Sequence, residues 1–136
     1  MTLSVKEPMS RPDGSRLRVL IADDEKNIAE TIRIILSKEG MDAVAVYGGR
    51  AAVDKAAEWK PDILVVDYLM PDLNGLEAAR RICERHAACR VLVLSALAAV
   101  HDLRHEMLRC EHPYEVLVKP IHPTDLLRLI RAVGGA

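Results

Sequence analysis

A doubly wound α/β domain, with five parallel strands and helices on both faces of the sheet, is the fold this sequence predicts. Five short apolar runs each lead into a longer stretch with helical spacing, in strict alternation. Most of the runs are apolar throughout rather than at every second residue, the pattern of strands buried on both faces. The 136 residues are 50% hydrophobic and 29% charged, enough for one core.

The first run is Arg18 to Ala22, RVLIA. Lys26 to Glu39 follows, with Ile28, Ala29, Ile32, Ile35 and Leu36 on one helical stripe, and Gly40 stands where a C-terminal cap belongs. Met41 to Val46 is a second, less continuously apolar strand. Arg50 to Trp59 is a second helix, opened by Gly48 and Gly49 and stopped at Lys60-Pro61, because a residue before proline is pushed out of the helical region. The third strand is Ile63 to Val66, followed by a helix from Gly75 to His86 with Leu76, Ala79, Ile82 and Cys83 on one side. Val91 to Leu94 is the fourth strand. A weaker helix spans Ala98 to Arg109 on Val100, Leu103 and Met107. Val116 to Val118 is the fifth strand, and Pro123 to Val133 the last helix, with proline in the favoured first turn and Leu126, Leu127, Ile130 and Val133 inward.

Composition narrows the function. A net charge of −1 argues against nucleic-acid binding through a basic surface, and 3% aromatics leaves little for base stacking. No apolar run approaches the roughly 20 residues that span a bilayer. The start, MTLSVKEPMSRPDGS, has no signal-peptide stretch and reads as a disordered leader over residues 1–15, ahead of a single domain over 16–136. Three cysteines, Cys83, Cys89 and Cys110, without CxxC spacing do not make a disulfide framework, so a reducing cytoplasm is the expected location.

The polar residues fall at the strand ends. The first strand ends at Asp23-Asp24, the third at Asp67, the fourth at Ser95 and the fifth at Lys119-Pro120. Open parallel sheets bind ligands at the carboxyl ends of their strands. Singly these residues read as caps, turns and surface charge. Jointly they do not: a cap contributes about 1 kcal/mol, whereas two carboxylates about 4 Å apart repel by about 4 kcal/mol at an effective dielectric of 20. Such a cluster suits a hard divalent cation, and carboxylates with waters and a phosphate oxygen suit Mg²⁺.

These residues carry a family resemblance. V-L-I-A-D-D-E (19–25), P-D-I-L-V-V-D-Y-L-M-P-D-L-N-G (61–75), V-L-V-L-S-A (91–96) and V-L-V-K-P (116–120) resemble the receiver domain of two-component response regulators, from Arg16 to Val133. The resemblance implies a flavodoxin-like strand order of 2-1-3-4-5 and a single-domain chemotaxis-regulator-like switch. It implies that Asp67 is the phosphoacceptor, that Asp24 binds Mg²⁺ directly and Asp23 through water, and that Asp67 and the Leu69 backbone carbonyl complete the protein ligands. Ser95 and Lys119 then hold phosphoryl oxygens, and the Lys119-Pro120 bond is expected cis. The donor is a sensor histidine kinase or a histidine phosphotransfer protein. The output, a downstream partner or a homodimer, is expected on residues about 98–133, without direct contact to nucleic acid or membrane. In this role the chain takes part only in its own phosphorylation and dephosphorylation. An aspartate is a competent nucleophile toward phosphorus.

Two features depart from the family pattern. Val116 stands where many receivers carry a switching Phe or Tyr, and Tyr114, two residues earlier on the same strand face, is the alternative switch position. Leu69 and Leu97 occupy positions that flank the path of attacking water in this family, which predicts slow loss of the phosphoryl group. His101, His105, Cys110 and His112 read as a solvated helix face rather than a zinc site, and Trp59 as a packed cover. The competing function is a small Mg²⁺-dependent phosphohydrolase with an aspartate nucleophile. Such enzymes carry D-x-D at the first strand end and a cap domain, whereas D-D-E stands here and no stretch is assigned to a cap.

Overall fold

The five apolar runs become the strands β1 (Arg18–Ala22), β2 (Asp42–Val46), β3 (Ile63–Asp67), β4 (Arg90–Ser95) and β5 (Glu115–Val118) in a computed structural model that describes residues 10–110 and 114–134. They form one all-parallel sheet in the order β2-β1-β3-β4-β5, the order implied by the resemblance. The helices are α1 (Lys26–Lys38), α2 (Gly49–Trp59), α3 (Gly75–Arg85), α4 (Val100–Met107) and α5 (Pro123–Gly134).

Successive strand residues point to opposite faces, and two cores result. Leu20, Ala22, Leu64, Val66, Val91 and Val93 pack with Ala52 and Ala56 of α2, Leu76, Ala79 and Ile82 of α3, and Leu103 of α4. Val19, Ile21, Ile63, Val65, Leu92, Leu94 and Leu117 pack with Ala29, Ile32 and Leu36 of α1 and Leu126 and Ile130 of α5. The central strand β3 is buried over its whole length, whereas edge strand β2 is only half-buried, which is why its sequence is less continuously apolar.

Helix ends follow local chemistry. After α1, Gly40 takes φ +89°, its N–H bonds the Ser37 carbonyl, and the Met41 N–H bonds the Leu36 carbonyl. This is the Schellman arrangement, closed by burial of Leu36 and Met41 in one core. Lys60 leaves α2 in the left-handed region at φ 53°, a sharper exit than the extended conformation usual before proline. The weaker helix is shorter than expected. A 3₁₀ turn at Leu97–Ala99 precedes α4, which stops at Met107, and Leu108, Arg109 and Cys110 continue with bonds to carbonyls three residues back.

Residues 10–15 of the expected leader form a tight turn with Arg16. Ser10 bridges Arg16, Gly14 takes φ +88°, and Arg11 pairs with Asp62 at 3.4 Å. Residues 1–9 of that leader, and His112, lie outside the described residues. Trp59 covers one core's edge, with Arg18 and Lys55 over its ring. His101 and His105 are exposed and stacked on α4.

Candidate functional site

Strand register gathers the site. Ala22 pairs with Val66, so Asp23 and Asp67 emerge from neighbouring strands at one level. Ser95 pairs with Val118, and the Lys119 N–H bonds the Ser95 carbonyl at 2.8 Å, which sets the lysine beside them. The Lys119-Pro120 bond is cis.

Asp23 is fully buried: one carboxylate oxygen accepts from the Glu25 N–H at 2.9 Å and the other from Lys119 Nζ at 3.0 Å. Lys119 Nζ also lies 3.3 Å from Asp67 and 3.8 Å from the exposed Glu25. Asp24 is exposed, yet ligand atoms of Asp23, Asp24 and Asp67 all fall within 4.8 Å of one another. Among the described residues no other group of three or more His, Cys, Asp or Glu is so placed, and the histidines of α4 form no such cluster. Asp24 and Asp67 border a cavity of about 240 Å³ whose walls include Tyr68, Leu69, Ser95, Ala99 and Lys119. Ser95 is buried and donates its hydroxyl to the Ala96 carbonyl at 2.8 Å.

Electrostatics reflect this crowding. Burial first, then the charge of Asp23, push the Asp67 carboxyl up to about 6 against the pull of Lys119. Burial alone lowers the Lys119 ammonium, but its hydrogen bond to Asp23 and the charge of Asp67 outweigh that, and it stays protonated above its ordinary range.

The loop after Asp67 is shaped by three residues with structural tasks. Gly75 cannot carry a side chain, because a Cβ there would lie 2.1 Å from the Asp67 carbonyl oxygen; its N–H bonds the Tyr68 carbonyl at 2.7 Å. Asn74 caps α3 by accepting from the Leu76 and Glu77 N–H groups. Asp72 caps a different helix: its two oxygens accept from the Gly49 and Arg50 N–H groups at 3.0 Å each, at the start of α2. Asn74 followed three residues later by Glu77 was a readable cap signal. Asp72 was not readable, since its partners lie 23 and 22 residues upstream.

The remaining expected positions are accounted for. Leu69 borders the cavity with 58% of its surface exposed, and Leu97 is 75% exposed at the start of the 3₁₀ turn. Val116 and Tyr114 are both half-buried against the same core, on the α4 side of the sheet. Burial raises the Tyr114 phenol to about 12.

Residues 19–131 match the model of the response regulator receiver domain, which spans most of the chain. This chain is a member of the response regulator receiver family. It is therefore a receiver domain of two-component response regulators, a signalling domain rather than a classical enzyme. The transcriptional regulatory protein TrcR of Mycobacterium tuberculosis is 38% identical over 123 residues, covering 90% of this chain and 47% of TrcR. The DNA-binding response regulator MtrA of Mycobacterium bovis is 28% identical over 120 residues, covering 88% of this chain and 51% of MtrA. The chain thus spans about half the length of these relatives. The MtrA name also limits the expectation of no nucleic-acid contact, since a relative is itself described as DNA-binding. The Vibrio cholerae chemotaxis protein CheY4 superposes with a TM-score of 0.80 at 24% identity, over 88% of this chain and 99% of that one, and supports the fold. The receiver domain of the Francisella response regulator 1452 gives 0.73 at 25% identity, over 87% and 96%. Among the described residues no helix is long and apolar enough to cross a membrane.

Proposed function

We propose that this receiver accepts a phosphoryl group on Asp67, from a sensor histidine kinase or a histidine phosphotransfer protein, and switches partner binding in response. The observation that carries this reading is the ammonium of Lys119, 3.0 Å from the buried Asp23 and 3.3 Å from Asp67, in a cavity that Asp67 shares with Asp24 and Ser95. In the transfer, an Asp67 oxygen bonds to phosphorus as the phosphorus–nitrogen bond of a phosphohistidine breaks, and the released imidazole nitrogen takes a proton. Positioning and charge neutralisation suffice for such a step. Lys119 offsets charge on the incoming oxygens. Ser95 turns its hydroxyl from the Ala96 carbonyl to a phosphoryl oxygen.

The donor set fits Mg²⁺: three carboxylates close enough to share one ion, all hard oxygen ligands, with the Asp67 carboxyl raised to about 6 by burial and by the charge of Asp23. Asp23, Asp24 and Asp67, with the Leu69 carbonyl, would hold it. When bound, the ion supplies further neutralisation of phosphoryl charge.

Output through residues about 98–133, to a partner or a second copy, belongs to this proposal, as does a cytoplasmic location, which the three free cysteines suit. DNA binding in the sense of the MtrA name enters as the output of a longer regulator, not as a property of the receiver surface.

The test incubates the 136-residue chain with Mg²⁺ and a small acyl phosphate and reads intact mass. Wild type gains one phosphoryl group, Asp67→Asn gains none, and a generic phosphate ester is not turned over. An unchanged wild-type mass refutes the proposal, and steady ester turnover favours the phosphohydrolase instead.

A further inference from the structure

The phosphoryl-dependent signal needs a path from Asp67 to the α4 face, and the aromatic ring many receivers place on the fifth strand is replaced here by Val116. A different aromatic lies closer. Tyr68 follows Asp67 directly, is 5% exposed, forms part of the cavity wall, and sits in the core with Ala99 and Leu103. Its hydroxyl leaves that core to donate a 2.7 Å hydrogen bond to Glu106 on α4. One side chain therefore touches the site at one end and the expected output helix at the other.

The helix it reaches is the one least held by packing. Leu103 is the single buried residue of α4, whereas α3 buries Gly75, Leu76, Ala78, Ala79 and Ile82. No side chain caps its N-terminus. An element with so little burial belongs to the low-stability end of a structure, where one hydrogen bond weighs heavily.

We propose that the Tyr68–Glu106 hydrogen bond is the latch that holds α4 in its unphosphorylated position, and that phosphorylation of Asp67 releases it. The inference rests on the phosphoacceptor reading above. Ser95 and the cavity-lining Ala96 and Ala99 lie on the segment that leads into α4. When the Ser95 hydroxyl exchanges the Ala96 carbonyl for a phosphoryl oxygen, that segment is drawn toward Asp67. Tyr68 stays fixed through its backbone, whose N–H bonds the Leu94 carbonyl at 2.9 Å and whose carbonyl receives the Gly75 N–H at 2.7 Å. The helix start moves, the ring does not, and the bond between them opens. Tyr68 and Glu106 are positioning residues in this scheme; neither handles the phosphoryl group.

The test measures amide hydrogen exchange over residues 97–109 in the full chain, with Mg²⁺, before and after a small acyl phosphate, with phosphoryl occupancy read by intact mass in each sample. In wild type, phosphorylation speeds exchange there by about 10-fold, the effect of losing one hydrogen bond to a charged acceptor. In Tyr68→Phe and Glu106→Ala that increase is present before phosphorylation, and at equal occupancy phosphorylation adds less than about 2-fold, since the bond is already gone. The double variant behaves like either single one. Glu106→Gln, which keeps an oxygen acceptor for the phenol, restores the response, an outcome that simple loss of packing does not produce. A Glu106→Ala protein that takes up phosphate and still shows the wild-type change in α4 overturns the latch. A wild-type chain that gains no phosphoryl mass overturns the phosphoacceptor reading itself, and the latch with it.

Discussion

Replacing Asp67 by asparagine should stabilise the metal-free protein while it abolishes phosphoryl acceptance. The carboxyl titrates near 3.8 in an unfolded chain and at about 6 in the fold, because burial and Asp23 oppose its charge. A raised carboxyl binds more protons folded than unfolded, so stability is lost as pH rises through the window from about 4 to 6. The full shift corresponds to roughly 3 kcal/mol. Because the carboxylate opens onto a cavity, and the substitution would leave Lys119 with one charged partner fewer, the expected gain is reduced to about 1–2 kcal/mol. For a domain of this size that raises the melting temperature by about 3–8 °C.

The assay is urea and thermal unfolding of wild type and Asp67→Asn in chelator, from pH 4 to 8. The gain of the variant should be largest at pH 7.5 and shrink toward zero by pH 4. Adding Mg²⁺ should then stabilise wild type more than the variant, by about 2.7 kcal/mol when the ion is at 100 times its dissociation constant. Equal stability at pH 7.5, or a difference that ignores pH, would refute the electrostatic reasoning.

Three further substitutions test the surrounding loop. Gly75→Ala forces a methyl group against the Asp67 carbonyl and should cost at least about 3 kcal/mol in unfolding free energy, read from the urea midpoint; a loss below about 1 kcal/mol would mean the loop yields freely. Asp72→Ala leaves the Gly49 and Arg50 N–H groups without their acceptor and should cost about 1–2 kcal/mol, the range for a lost helix cap, measurable by the same unfolding. Leu69→Asn replaces an exposed apolar group at the cavity mouth and should speed loss of the phosphoryl group by roughly 5-fold, equivalent to about 1 kcal/mol of barrier. An unchanged decay of phosphoryl mass would remove Leu69 from the control of hydrolysis.

The sheet was legible in the sequence because its physics is local and repetitive. Runs such as Ile63–Val66 carry no polar residue, so they have no exposed face, and the polar residues that end them mark the ligand edge. The convergence of Asp23, Asp67 and Lys119 followed from that placement together with the family resemblance. What stayed hidden rests on contacts that no spacing encodes. Asp72 carries no cap signal in the sequence, and only the fold reveals that it caps α2. Tyr68 follows the third strand with no sequence signal of its own, and its bond to Glu106, 38 residues away, exists only once the fold brings α4 to it. The leader illustrates the same limit. Residues 10–15 look featureless, yet they turn back on their own hydrogen bonds and Arg11 pairs with Asp62.

The charge at the strand ends explains why such a site is tolerated and why it can switch. Asp23, Asp24 and Asp67 bring three negative charges against the one positive charge of Lys119, with Glu25 at its margin. The two cores that flank the sheet carry this burden, which shows in the raised pKa of the Asp67 carboxyl. Under the proposed reading a divalent cation restores balance, and a phosphoryl group adding about −1.5 to −2 upsets it again. The mobile donors within reach are then the Ser95 hydroxyl, bonded to a neighbouring carbonyl, and the Lys119 ammonium. Lys119 is committed to Asp23, so the hydroxyl has more freedom to move, and Ser95 stands at the head of the segment leading into α4. Under the proposed latch, a local imbalance of charge becomes displacement of the helix with the fewest buried anchors.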